Sequence, residues 1–92
     1  MPNEELHRAT KRVIDTLEQL TAAPAQGMTL TELASALKAP KSSLFPIVHT
    51  LCELHMLSLN SDTGRYCIGY KAYEIGNVYL RRGGLTTDIQ TQ

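Results

Sequence analysis

Pro40 divides the middle of this chain into two short helical patterns, and that break limits the possible folds more than any other feature. Before it, Leu30, Leu33, Ala34 and Leu37 recur at three- and four-residue steps and so share one helix face. Thr29 and Glu32 stand three apart where this pattern begins. At that spacing a hydroxyl and a carboxylate each accept a hydrogen bond from the other residue's backbone N–H. After the break, Leu44, Ile47, Val48, Leu51 and Leu54, with His55 at the edge, make a second apolar stripe. The ring of Pro40 disfavours helix at Ala39, so Lys38-Ala39-Pro40 must turn the chain. Two short helices joined this closely make a helix-turn-helix arrangement.

The flanking segments complete a small domain. Asn3–Leu20 reads as an amphipathic helix, with Leu6, Ala9, Val13, Leu17 and Leu20 on one stripe and Ile14 widening it. Asn3 is its expected N-cap, and Glu4 and Glu5 suit the positive end of the helix dipole. Thr21–Gly27 is a loop, and a short strand is expected around Met28. After His55 the period changes. Met56, Leu57 and Leu59 begin a strand, Ser61-Asp62-Thr63-Gly64 is a turn, and Arg65–Ile68 returns. A hairpin directly after a helix-turn-helix is a wing. Beyond Gly69, the spacing of Ala72, Tyr73, Ile75, Gly76, Tyr79 and Leu80 predicts a further helix that stops near Gly83-Gly84, and the polar tail Leu85–Gln92 is expected to be loose. The expected fold is mainly α with a small β wing: a three-helix core, a two-stranded antiparallel hairpin and a C-terminal linker helix. Residues 1–69 form the winged helix-turn-helix domain, and residues 70–92 the linker helix and tail.

Composition narrows the function mostly by exclusion. No apolar run exceeds three residues, so a membrane span is not expected. Cys52 and Cys67 are too few for a disulfide scaffold or a zinc site, and read as small packing residues. His7, His49 and His55 have no metal spacing, there is no phosphate-cradling glycine loop, and no serine sits in a nucleophile elbow. The chain therefore reads as a non-enzyme without metal or cofactor. Nine Lys/Arg balance nine Asp/Glu, so any polyanion binding must depend on where the cations sit. The scarcity of aromatics, with no Trp, disfavours base stacking on single strands.

The second helix of the pair, about residues 41–54, presents the best candidate site. Its outward positions include Lys41, Ser42, Ser43, Phe45, Pro46, His49 and Thr50. Recognition helices lay their N-terminal residues into the major groove of duplex DNA. Lys41, Ser42, Ser43 and His49 can hydrogen-bond there, and Phe45 can meet a thymine methyl. Ser42 or Ser43 could equally serve only as a helix cap. Thr29, Thr31 and Lys38 are placed to hold the backbone, and Arg65, straight after Gly64, is the candidate wing contact within residues 61–66. Arg65 could also be a bare surface cation. The alternative function is a winged-helix module that docks a protein through the apolar Phe45-Pro46 edge.

Several of these runs are more specific than their helical period. Leu30-Thr31-Glu32-Leu33-Ala34, Pro40-Lys41-Ser42-Ser43, Leu51, and Gly64-Arg65-Tyr66 followed by Ile68-Gly69 resemble the N-terminal winged helix-turn-helix of the IclR-type bacterial transcription regulators. The likeness runs from about Leu6 to Leu80. It implies a cytoplasmic homodimer, paired through the first and linker helices, on a double-stranded operator, acting as repressor or activator. It also implies a C-terminal domain that senses a small molecule. This chain ends where that domain would begin, so the expectation is a DNA-binding fragment or an unusual stand-alone member. One departure stands out. The family commonly carries Arg two residues after the Leu44 position, where this chain has Pro46, and Phe45 takes a site often held by His. Proline in a helix interior removes a donor and crowds the carbonyl four residues back. The expectation is a helix that starts late, with Ser43 as cap, or bends.

Overall fold

The computed structural model describes residues 5–83. In order they form α1 (Arg8–Thr21), β1 (Met28–Thr29), α2 (Leu30–Leu37), α3 (Lys41–Glu53), β2 (Leu57–Asn60), β3 (Arg65–Ile68) and α4 (Tyr70–Arg81). The strands form one antiparallel sheet in the order β1-β3-β2. The wing is thus a three-stranded sheet rather than an isolated hairpin. The returning strand is central, with Tyr66 opposite Met28 on one side and Leu59 on the other. A two-stranded ribbon alone is marginal in water, and β1 ties this one to the base of α2.

The core lies where the three helices meet the sheet. Leu33, Leu44 and Val48 are wholly buried, and Leu20, Ala34, Leu51, Leu57 and Tyr66 nearly so. All of these except Leu57 and Tyr66 fall on the predicted helical stripes. Burial pushes the Tyr66 phenol above its ordinary pKa, with the nearby Cys52 adding to the shift, as expected for a ring whose job is packing. Burial likewise raises the Cys52 thiol, with Glu53 contributing, so Cys52 is a neutral packing group.

The first helix differs from expectation at its start. It begins at Arg8, and its N-cap is His7, whose Nδ1 accepts from the Thr10 N–H at 3.3 Å. Glu5 lies outside the helix, while Asn3 and Glu4, the expected cap and first-turn acid, fall outside the described residues. Leu6, Ala9 and Ile14 are exposed, with Leu6 outside the helix altogether. Buried on the core side instead is Thr16, whose hydroxyl donates to the Arg12 carbonyl at 2.7 Å. Threonine can satisfy its hydroxyl on its own helix, and so a polar residue occupies a core position that an apolar count overlooks.

Two further expectations fail at the end of α3. Leu54 and His55 are exposed, not part of the buried stripe. The chain leaves the helix there, because His55 adopts a left-handed backbone with φ 66°. Its carbonyl accepts from the Lys71 N–H at 3.0 Å, and its ring stacks on Tyr70 with centroids 5.1 Å apart. Gly69 makes this close approach possible, since a Cβ there would run into the His55 and Leu57 carbonyls. These contacts fix where α4 departs. The remaining length of α4 buries no residue. The polar tail Leu85–Gln92 lies outside the described residues. No helix among the described residues is long and apolar enough to cross a membrane.

A candidate DNA interface on the third helix

The capping box read from sequence is formed. The Thr29 hydroxyl accepts from the Glu32 N–H at 3.1 Å, and the Glu32 carboxylate accepts from the Thr29 N–H at 3.0 Å. The helix α2 ends on Lys38, which takes a left-handed conformation with φ 54°. A non-glycine residue there is uncommon, and it turns the chain sharply enough for α3 to begin three residues later. The Lys38 side chain is exposed and makes no hydrogen bond or ion pair among the described residues.

The next helix begins early. Its N-cap is Pro40, with no side-chain cap, and the Pro40 carbonyl accepts from Ser43 and Leu44 at 3.0 and 3.1 Å. Neither serine is the cap. Pro46 therefore sits at the sixth helical position, inside one continuous helix, and the late start fails. The physical reason is burial. Leu44, Val48 and Leu51 flank the proline and reach the core only if the coil runs through it. The carbonyl of Ser42 loses its usual N–H partner to the proline ring, but Ser42 is exposed and water can replace that partner.

The expected contact residues divide into two sets. Thr31, Lys38, Lys41, Ser42, Ser43, Phe45 and His49 are all exposed. Within this set the Lys41 Nζ donates to the Thr31 hydroxyl at 3.1 Å, joining the starts of α2 and α3. Phe45 and His49, one turn apart, stack with ring centroids 5.6 Å apart. Thr29 and Arg65 are half-buried and lie opposite one another in the β1–β3 pairing.

Arg65 stands where the wing turn closes, opposite Asn60, and is not a bare cation. It opens the central strand, and its Nη1 donates to the Gly27 carbonyl and to the Glu32 carboxylate, both at 3.1 Å. Glu32 thus serves the cap and the ion pair with one oxygen. Gly27 holds its carbonyl in place from a left-handed turn, φ 87°, where a Cβ would strike the Tyr66 carbonyl. In the sequence Gly27 is legible only as part of a loop and Glu32 only as a cap. The Thr29–Glu32 spacing was visible; the pairing of Glu32 with a residue 33 positions later was not. Beyond Asn60 the turn is closed by that residue's side-chain oxygen, which accepts from the Asp62 N–H at 2.9 Å.

Comparison with known proteins agrees with this fold. Residues 9–60 match the family model described as the IclR helix-turn-helix domain. The chain is 32% identical over 78 residues to the HTH-type transcriptional regulator BhcR of Paracoccus denitrificans, which spans 85% of this chain and 27% of that protein. Among solved structures, the Agobacterium tumefaciens repressor BlcR superposes with a TM-score of 0.71 at 28% identity, over 80% of this chain and 29% of that one. An IclR transcriptional regulator from Alicyclobacillus acidocaldarius shares the fold with a TM-score of 0.74 at 22% identity, covering 78% of this chain and 29% of that one. The chain spans little more than a quarter of the length of each. With more than half of its residues inside the family match, the chain belongs to the IclR helix-turn-helix family.

Proposed function

We propose that this chain is the operator-binding part of a transcription regulator, with α3 entering the major groove of duplex DNA. The observation that carries this reading is the division of α3 into two faces. Leu44, Val48 and Leu51 anchor one side in the core, while Lys41, Ser42, Ser43, Phe45 and His49 stand clear of it. A recognition helix needs such a rigid seat and a polar outer edge. Ser42 and Ser43 read base edges, Lys41 and His49 add donors, and Phe45 supplies an apolar contact. Thr29, Thr31 and Lys38 meet the backbone. Among the described residues the Arg65 guanidinium is engaged through Nη1 alone, by Gly27 and Glu32, which leaves its other N–H donors for a phosphate. The ion pair then pre-orients the guanidinium instead of cancelling it.

Titration of a labelled duplex at two salt concentrations tests the proposal. Binding should weaken steeply as salt rises. Arg65→Ala should weaken binding to every sequence and lower the salt slope by about one. Ser42→Ala or Ser43→Ala should change the preference among sequences. If no duplex is bound at either salt concentration, α3 is a protein-docking edge, as its exposed Phe45 and zero net charge would then indicate.

The proposal extends to assembly. Leu6, Ile14, Tyr70, Tyr73, Ile75 and Leu80 are each about half exposed or more, and they lie on α4 and on or beside α1. Large apolar side chains in such numbers favour coverage, and a homodimer through these two helices would supply it. Sedimentation at several concentrations tests this: a single species at monomer mass throughout would reject it. A small-molecule-sensing C-terminal domain and a cytoplasmic setting belong to the same reading of the full-length regulator.

A further inference from the structure

We infer that Arg8 and Arg12 of α1 form a second phosphate-binding lip, beside α3 at Ser43 and Pro46. The inference rests on the duplex-DNA reading above and deepens it. Arg8 and Arg12 are one helical turn apart and line a cleft of about 600 Å³ together with His7, Ala9, Ser43, Pro46 and Ile47. Among the described residues no carboxylate lines that cleft, and neither arginine has a side-chain hydrogen bond or ion pair. Like charges at this spacing repel each other on a helix surface, so their juxtaposition calls for an anion from outside.

The remaining charges of α1 are arranged differently. Lys11 is held by Asp15 at 2.8 Å, and both line a separate cleft that also contains Glu18. Among the described residues the helix thus carries one face whose cation is paired and one whose cations are not, and the second meets the recognition helix at Ser43 and Pro46. On the opposite flank of α3, Lys41 reaches Thr31 on α2. A helix in the major groove runs between two phosphate backbones about 12 Å apart. Thr31 on α2 serves one wall; Arg8 and Arg12 reach the other. The proline on α3 leaves that flank without a cation of its own, and α1 supplies the charge that α3 lacks.

The test is a salt titration of a labelled random-sequence duplex of about 30 base pairs, long enough for about three turns of groove. The full chain would be compared with Arg8→Gln, Arg12→Gln, the double variant, and Lys11→Gln as an equal change in net charge. Helix content and melting temperature should be the same in all five proteins. Each arginine change should reduce the slope of log affinity against log salt by about 0.9, and the pair by about twice that, while Lys11→Gln keeps the original slope. If the unmodified chain binds duplex and the double variant keeps its slope, the lip is wrong and the DNA reading stands. Equal losses in Lys11→Gln and Arg12→Gln would also overturn the lip, since the effect would then be net charge. An unmodified chain without salt-sensitive binding would remove the DNA reading, and the lip with it.

Discussion

The helices α2 and α3 lie side by side, yet they are stabilised in different ways. The first has a reciprocal cap at its start, an acidic residue in its first turn and a left-handed stop at Lys38. The second has no side-chain cap, no acid in its first turn, no base in its last turn and a proline inside. Local rules would make α2 the secure helix and α3 the doubtful one. Packing reverses this: α3 contributes two wholly buried side chains, Leu44 and Val48, and Leu51 nearly so. Intrinsic propensity is a weak term that burial routinely overrides. A helix held from one face only can spend its other face on whatever residues contact requires.

The contrast can be broken most directly at Leu44. Leu44→Ala should cost about 2–5 kcal/mol and lower the denaturation midpoint sharply, since it opens a cavity under the helix that depends most on burial. A loss well under 1 kcal/mol would mean that α3 is held by something other than its core face. Pro46→Ala tests the same helix in the opposite direction. It restores an N–H for the Ser42 carbonyl and should stabilise the chain by about 1–3 kcal/mol, measured as a rise in midpoint. An unchanged or lower midpoint would show that the proline is accommodated without cost.

Smaller effects are expected on the locally specified helix. Thr29→Ala removes one half of the capping box and should cost about 1 kcal/mol by the same measurement. The loss should come with faster amide exchange in the first turn of α2. Ser42→Ala should be the mildest change, within about 0.5 kcal/mol, because Ser42 is exposed and caps nothing. A larger loss of stability there would take the residue out of the contact edge and make it part of the scaffold.

Much of this organisation was legible in the chain, for identifiable reasons. The stripe of Leu30, Leu33, Ala34 and Leu37 is periodic, and the cap at Thr29 and Glu32 is a three-residue relation, so both are local. The turn at residues 61–64 was likewise marked by its own residues, and Gly64 takes φ 72° there. Failures came where distant segments decide. The span of α3 was expected at about residues 41–54, and what the sequence left open was its cap: Pro40 and not Ser43 takes that place, because Leu44 must reach a core built by other elements. The partner of Arg65 is far along the chain, and its proximity follows from β3 lying between β1 and β2. At the start of α1, His7 can cap as an acceptor through its ring nitrogen, a role that lists of good capping residues pass over.

The sequence by itself determined the helical stripes, the cap on α2, the break at Pro40 and the family to which the chain belongs. These are written in neighbouring residues, because hydrophobic period, hydroxyl–carboxylate spacing and proline geometry act over a turn or two of chain. Only the tertiary structure decided that α3 is capped at Pro40 and not at Ser43, that Arg65 is anchored on Glu32 and Gly27, and that Arg8 and Arg12 share a cleft with Ser43. Each of these depends on which surfaces meet when apolar side chains leave water, and that meeting joins residues no local pattern connects.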